Sequence, residues 1–412
     1  MATPRVTRRQ LLTLISAAAV WGSVRYGHDR AARPPAPTGP LSRGARDLIA
    51  RAWAGLDPMR VLDTHVHVVG LGRGGTGCEV GARLQSPLNP GEYFKFSIYL
   101  AASGVTDLAH ADQQYLGRLT ELLERQSPHG RALLLAFDRA HDDAGRPLPE
   151  ASEFYTPNEY VLSLARAAPH LFVPCASVHP YRADAVEALE RAVAGGAVAV
   201  KWLPNAMNID PSSARCDAFY DALVRLRVPL ISHAGEEKAV HAEEAQRLGN
   251  PLHLRRPLDR GVTVVVAHCA SLGQNPDLDA GANGPWVDNF ELFVRLLGED
   301  RWKGRLYGDL SAMTQVNRVG RPVRHLLEHP ELHARLINGS DYPLPAINAL
   351  MQTRAIVEAG LLTEAERALL NEIDRHDPLL FDFVCRRTLH LGEQRFADHV
   401  FQIRPEVFPR LA

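Results

Sequence analysis

The chain has 412 residues, with 46 Lys+Arg against 47 Asp+Glu and a formal net charge of −1 at pH 7. That balance lacks the basic footprint of a nucleic-acid binder. A composition of 46% hydrophobic and 23% charged residues is ordinary for a globular protein, long enough for one large domain or two smaller ones. The five cysteines, at 78, 175, 216, 269 and 385, include no Cys-x-x-Cys pair, which excludes a disulfide scaffold.

The first segment reads as separate from the fold. Thr7-Arg8-Arg9-Gln10-Leu11-Leu12 opens an apolar run to Val24, the pattern of a twin-arginine export signal. The run is about 14 residues long, short of the ~20 needed to span a membrane, and no later stretch is long enough either. Residues 30–42 are a Pro-rich linker. The expected organisation is an export signal with linker over 1–42 and one domain over 43–412. The expected location is the periplasm, with a cytoplasmic protein as the alternative.

The stretch Val61-Leu62-Asp63-Thr64-His65-Val66-His67-Val68 is the most informative of the sequence. As a strand it alternates faces, which puts Asp63, His65 and His67 on one side, where two imidazoles can chelate a divalent cation. Alone the motif is weak, since 18 His in a chain of this length produce roughly 0.8 His-x-His triplets by chance.

Short β-rich runs then alternate with helical stretches. Strands are expected at 59–68, 131–137, 171–178, 197–203, 228–233, 262–268, 304–310 and 334–340, with amphipathic helices such as Ala183–Ala194, stopped by Gly195-Gly196, and Ala214–Arg227. Eight strands each followed by a helix predict an α/β (β/α)₈ barrel, in which chemistry sits at the carboxyl ends of the strands. Long βα-loop insertions are expected at 69–130, 141–158 and 269–288, and they would shape the substrate pocket.

The strand ends carry polar residues where core residues would be expected. His65 and His67 end the first strand, Lys201 the fourth, His233 the fifth, His268 the sixth and Asp341 the eighth. A closed ring of strand ends brings such distant residues together. Cys269 is expected to face the barrel wall rather than to act as a nucleophile. Arg73, Arg139, Glu236, Glu237 and Trp286 are candidates to line the substrate pocket, but no motif supports any of them and a surface-loop position is the favoured reading. His325, His329 and His333 are read as solvated, because Pro330 interrupts the helix that would stack them.

In this set and order the chain resembles the amidohydrolase superfamily, in particular the amidohydrolase-related branch of metal-dependent TIM-barrel hydrolases. The resemblance runs from about Val61 into the 380s. It implies His65, His67, His233, His268 and Asp341 as metal ligands, and it makes Lys201 similar to the carboxylated lysine that bridges two metals in some members. The glutamate that some relatives carry near the first-strand motif is not visible here. An ammonium has no lone pair for a cation, but a buried neutral amine can add carbon dioxide and become an anionic carbamate. The competing reading pairs Lys201 with an acid such as Asp309.

The implied cofactor is one or two divalent ions, zinc first, with manganese, iron or cobalt fitting the same donors. A bound ion lowers the pKa of its water from ~15.7 to roughly 7, which supplies hydroxide for hydrolysis. Asp341 would be ligand and general base. His268 would be the ligand of a second ion, or with a single ion would polarise the substrate carbonyl. Asp63 would orient a ligand histidine or serve structure alone. The expected function is hydrolysis of an amide, ester, lactone or cyclic amide in a small-molecule substrate. The alternatives are non-oxidative decarboxylation of an aromatic or unsaturated acid, and an exported metal-binding protein without catalysis. Nucleic acid is not expected as a partner, no membrane span is expected in the mature chain, and an oligomer is compatible with the sequence.

Overall fold

Eight parallel strands pair in sequence order in the computed structural model of the protein: β1 (Leu62–His67), β2 (Arg131–Leu135), β3 (Phe172–Ala176), β4 (Ala199–Trp202), β5 (Leu230–His233), β6 (Val264–Ala267), β7 (Leu306–Asp309) and β8 (Leu336–Ile337). β8 returns to β1 through backbone bonds from Thr64 to Asn338 (3.0 Å), Asp341 to His65 (2.8 Å) and His67 to Tyr342 (3.0 Å). The ring therefore closes, with helices between successive strands, as the expected (β/α)₈ barrel. The structure describes residues 39–126, 128–240, 242–281 and 283–411; the expected export signal lies outside them.

Both faces of the strands are buried, which is why they read as runs of Val, Leu and Ile rather than as alternating patterns. Leu62, Leu133, Val173, Ile231, Val265 and Ile337 pack on one another inside the barrel. The C-terminal segment joins the same cluster through Val407 and Phe408, plugging the end opposite the site. On the outer side Val66 and Leu134 meet Leu119 of the helix Ala111–Arg125.

The strands are shorter than expected. Pro58–Arg60 is a turn whose first N–H groups are served by the Asp57 side chain (to Met59 N, 3.0 Å), so β1 begins at Leu62. β8 is the shortest, because the chain leaves strand geometry on its way to Asp341. The helix Ala185–Ala194 stops at Gly195-Gly196 as expected, with Gly196 at φ 111°. Over the second expected helix, Ala214–Cys216 forms a separate turn before the helix Asp217–Leu226.

The insertion after β1 contains the helix Pro90–Ala102 and a two-residue strand, Glu79–Val80, that pairs with Phe154–Tyr155 from the loop after β2. Tyr99 Oη donates to Ala239 O (2.8 Å), which ties that helix to the loop after β5. The buried Asp112 carboxylate accepts the N–H groups of Leu71 (2.7 Å) and Gly72 (3.1 Å) and so fixes the chain leaving β1.

The histidine series needs one correction. The helix ends at Glu328, before Pro330, and His325 and His329 share a face with ring centroids 4.4 Å apart. His333, however, is buried, with its Nε2 on Leu326 O at 2.9 Å. No helix among the described residues is long and apolar enough to cross a membrane. All five cysteines are buried and free.

Candidate functional site

Strict alternation from Leu62, which faces the barrel interior, would place Thr64 and Val66 inside and both histidines outside. The pairing of β1 with β2 slips between Asp63 and Val66, and this irregularity reverses the faces beyond it. His65 and His67 therefore face inward, and Val66 packs in the outer layer. Asp63 does not share their face, contrary to expectation. Its carboxylate accepts the backbone N–H groups of His65 (3.1 Å) and Ser340 (2.8 Å) and pins the bend itself. Inward alternation carries Ala199 to Lys201 and Ile231 to His233. His268 lies one residue beyond that register and reaches the interior at φ 56°, the first of three consecutive left-handed residues, His268, Cys269 and Ala270. Asp341 is also left-handed, at φ 67°. Such backbone is costly for non-glycine residues and collects at functional sites.

The expected residues converge. His67 Nε2 lies 3.2 Å and His65 Nε2 3.5 Å from Asp341 Oδ1. His65 stacks on His268 at 4.8 Å between centroids, and His233 meets His268 edge-on at 5.4 Å. Lys201 Nζ is 3.1 Å from His65 Nε2, whereas Asp309, the acid of the competing reading, is not in ion-pair contact with it. Asp309 instead accepts from His65 Nδ1 (2.8 Å) and from the His268 backbone N–H (2.8 Å), while Ser311 Oγ bridges the Nδ1 atoms of His65 (3.1 Å) and His268 (2.7 Å). With Nδ1–H of His65 committed to Asp309, its Nε2 carries the lone pair toward Asp341.

Electrostatics favour neutral bases here. Burial, then the Lys201 charge, holds His65 far below the usual imidazole range. Burial and His268 do the same to His233, and burial and Arg318 to His268. Burial lowers Lys201, against the pull of Asp309 and Asp341. For Asp341 burial opposes ionisation, but the His67 hydrogen bond and the charges of His65, His67 and Lys201 outweigh it and hold the carboxyl below its ordinary value.

Two groups bring three donors together with all ligand atoms within 4.8 Å: His65, His67 and Asp341, and His65, His268 and Asp309. Both ring nitrogens of the buried His233 lack a hydrogen-bond partner. Imidazole lone pairs aimed at a carboxylate oxygen, beside an unsatisfied imidazole, are a donor set that a divalent cation fits.

The cluster borders a cavity of about 370 Å³. Its other walls are largely apolar, including Phe96, Leu100, Phe137, Phe154, Leu344 and Ile347. Glu237, expected on the surface, is buried and lines this cavity, with His233 Nδ1 3.6 Å from its carboxylate. Arg73 and Trp286 are exposed, Arg139 pairs with Glu79 (2.6 Å) and Glu236 with Lys238 (3.2 Å); none of the four borders the cavity. Cys269 is buried with Sγ on Asp309 O (3.2 Å) and also stays outside the cavity. Sequence reasoning missed Ser311 and Arg318, which follow β7, and gave Asp309 only as a partner for Lys201. An acid at the end of the apolar run Leu306–Asp309 was the available signal for Asp309.

The amidohydrolase family model matches residues 62–372. No curated protein matches the chain. Among solved structures it resembles a TIM-barrel protein from Bordetella bronchiseptica (15% identity, 79% of this chain and 99% of that one, TM-score 0.47). It also resembles a Pseudomonas putida protein provisionally assigned as a 2-pyrone-4,6-dicarboxylic acid hydrolase (17% identity, 80% and 99%, TM-score 0.40). A third similar structure is the 5-carboxyvanillate decarboxylase of Sphingomonas paucimobilis (12% identity, 77% and 98%, TM-score 0.42). With the family model spanning most of the chain, the protein is an enzyme of the amidohydrolase family.

Proposed function

We propose that the protein is a metal-dependent hydrolase that opens an amide, ester, lactone or cyclic amide bond of a small molecule. The observation that carries this reading is the meeting of His65 Nε2 and His67 Nε2 on one Asp341 carboxylate oxygen at the edge of a largely apolar cavity. His65, His67 and Asp341 would hold the first ion, and His233 and His268 a second. The donors suit zinc, with manganese, iron or cobalt as substitutes. A divalent ion there acidifies water and polarises a substrate oxygen.

The chain's own groups supply the rest. Asp341 accepts the proton of the attacking water and hands it to the leaving group, a role that fits a carboxyl held in its ionised form. His268, fixed through Nδ1 by Ser311, presents Nε2 to the substrate carbonyl when it binds no ion. Asp309 keeps His65 in the tautomer that offers Nε2. The apolar walls lower the local dielectric, which strengthens each of these interactions. Lys201, buried and with its amine pushed toward neutrality, is suited to carboxylation and to bridging two ions.

One observation favours a second reading, decarboxylation of an aromatic or unsaturated acid on a single ion. His65, His67 and Asp341 make a three-residue donor set sufficient for one ion, and Lys201 stands beside it as an amine on His65. Metal content per chain, with a crystal structure resolving Lys201, tests the choice together with a substrate screen. Two ions, a carboxylated Lys201 and cleavage of amides or lactones are expected. One ion, a free amine and carbon dioxide release from acids would transfer the assignment to the second reading. The twin-arginine-like segment near Arg8-Arg9 supports export as part of the same proposal.

A further inference from the structure

Arg318 is a buried cation with no carboxylate in contact: Asp341, Glu237, Asp309 and Glu236 act on its charge only from beyond ion-pair distance. It lies in the loop after β7, borders the cavity, and is 8% exposed. Its Nη1 donates to Ser271 Oγ at 3.2 Å, and its Nε–H has no acceptor. Among the described residues no carboxylate lies within 4.0 Å of it. The cavity's other cations are engaged: Lys95 with Glu92 at 2.8 Å, Lys238 with Glu236 at 3.2 Å, and Lys201 against His65 at 3.1 Å. Desolvating a guanidinium is expensive unless an anion and good hydrogen bonds compensate, and a planar fork of donors matches a carboxylate in particular. The cavity walls beyond it are mainly hydrocarbon.

We propose that the substrate is a carboxylic acid with a hydrophobic body, whose carboxylate is received by the Arg318 guanidinium while the aromatic and aliphatic walls hold the remainder. This rests on the reading of the His–Asp cluster as the reacting centre. It makes Arg318 the residue that selects acids over neutral molecules of the same shape.

The test is calorimetric binding of phenyl-substituted acids, from benzoate to 4-phenylbutyrate, each against its uncharged amide. The metal-loaded full-length protein, the same protein stripped of metal, and the variants Arg318→Met and Arg318→Lys are compared. In the wild type at least one acid is expected to bind about tenfold or more tightly than its amide, the effect of one charge-assisted pair. Arg318→Met should lose that preference while keeping its metal content. Arg318→Lys should keep part of the preference. Should the methionine variant fail to fold, Arg318→Gln serves for the same comparison.

No acid preferred over its amide in the wild type, or the full preference retained without the Arg318 charge, overturns the proposal; the latter would send the carboxylate to the metal or Lys201. The stripped protein separates this result from the proposed function. A failure of His65 and Asp341 to govern metal content would defeat the metal reading, whereas acid selection by Arg318 is read independently of metal and of turnover.

Discussion

Asp309 and His65, 244 positions apart in sequence, form a fully buried pair in which the carboxylate takes the imidazole Nδ1–H at 2.8 Å. The contact fixes which nitrogen of His65 remains available, and the other carboxylate oxygen fixes the start of the loop that carries His268. Asp309→Asn keeps the shape but replaces a charged acceptor with an amide that can also donate. Metal affinity is expected to fall by about 10–100-fold, the usual effect of losing the group that orients a ligand histidine. Competition against a chelator of known affinity measures it; an unchanged affinity would remove Asp309 from the site.

His65→Ala deletes the residue shared by both three-donor groups and should leave neither bound metal nor turnover. Asp341→Asn removes the base and should reduce turnover by about 10²–10⁴-fold, the range of general acid–base catalysis, beyond any loss of metal. Metal analysis and rate measurement on the same preparations separate the two. Full activity in either variant would exclude that residue from the mechanism.

Gly339 is where the backbone of the chain leaving β8 passes His65. A Cβ placed there would stand 3.0 Å from His65 Cβ and 3.1 Å from Ser311 Cβ, neither of which is a flexible end. Gly339→Ala should therefore destabilise the fold by about 1–3 kcal/mol through overpacking and displace His65. Denaturant unfolding reads the first effect and metal affinity the second. Wild-type values in both would show that the ring opens without cost at this seam.

His179, after β3, is buried as a neutral imidazole: Nε2 donates to Met207 O (2.8 Å) and Nδ1 accepts from Tyr181 N (3.2 Å). Burial, with the His141 ring 4.4 Å away, pushes its pKa down to about 3. The unfolded chain takes up this proton near 6.5, so the unfolded state binds more protons as pH falls below that value. Stability should accordingly decline from about pH 6.5 toward pH 3, by up to about 1.4 kcal/mol per pH unit from this residue, with no contribution above that range. Unfolding free energies at stepped pH should show a shallower decline for His179→Gln than for wild type. Parallel curves would mean that His179 is not held neutral.

The amino-acid sequence by itself determined the barrel and the identity of most of the donors. Strands buried on both faces must be apolar runs, and polar residues that end such runs stand out against them, as His65, Lys201, His233 and His268 do. Local pattern also set the stop at Gly195-Gly196 and the break at Pro330. Only the tertiary structure decided which way β1 presents its residues, because the slip between Asp63 and Val66 arises from pairing with β2 and reverses a period-2 pattern without leaving a mark in composition. It likewise decided that Asp309 serves His65 rather than Lys201, that Glu237 is buried, and that Arg318 has no carboxylate in contact. Those facts depend on what lies across the barrel mouth, which closure of the ring sets and no stretch of neighbouring residues encodes.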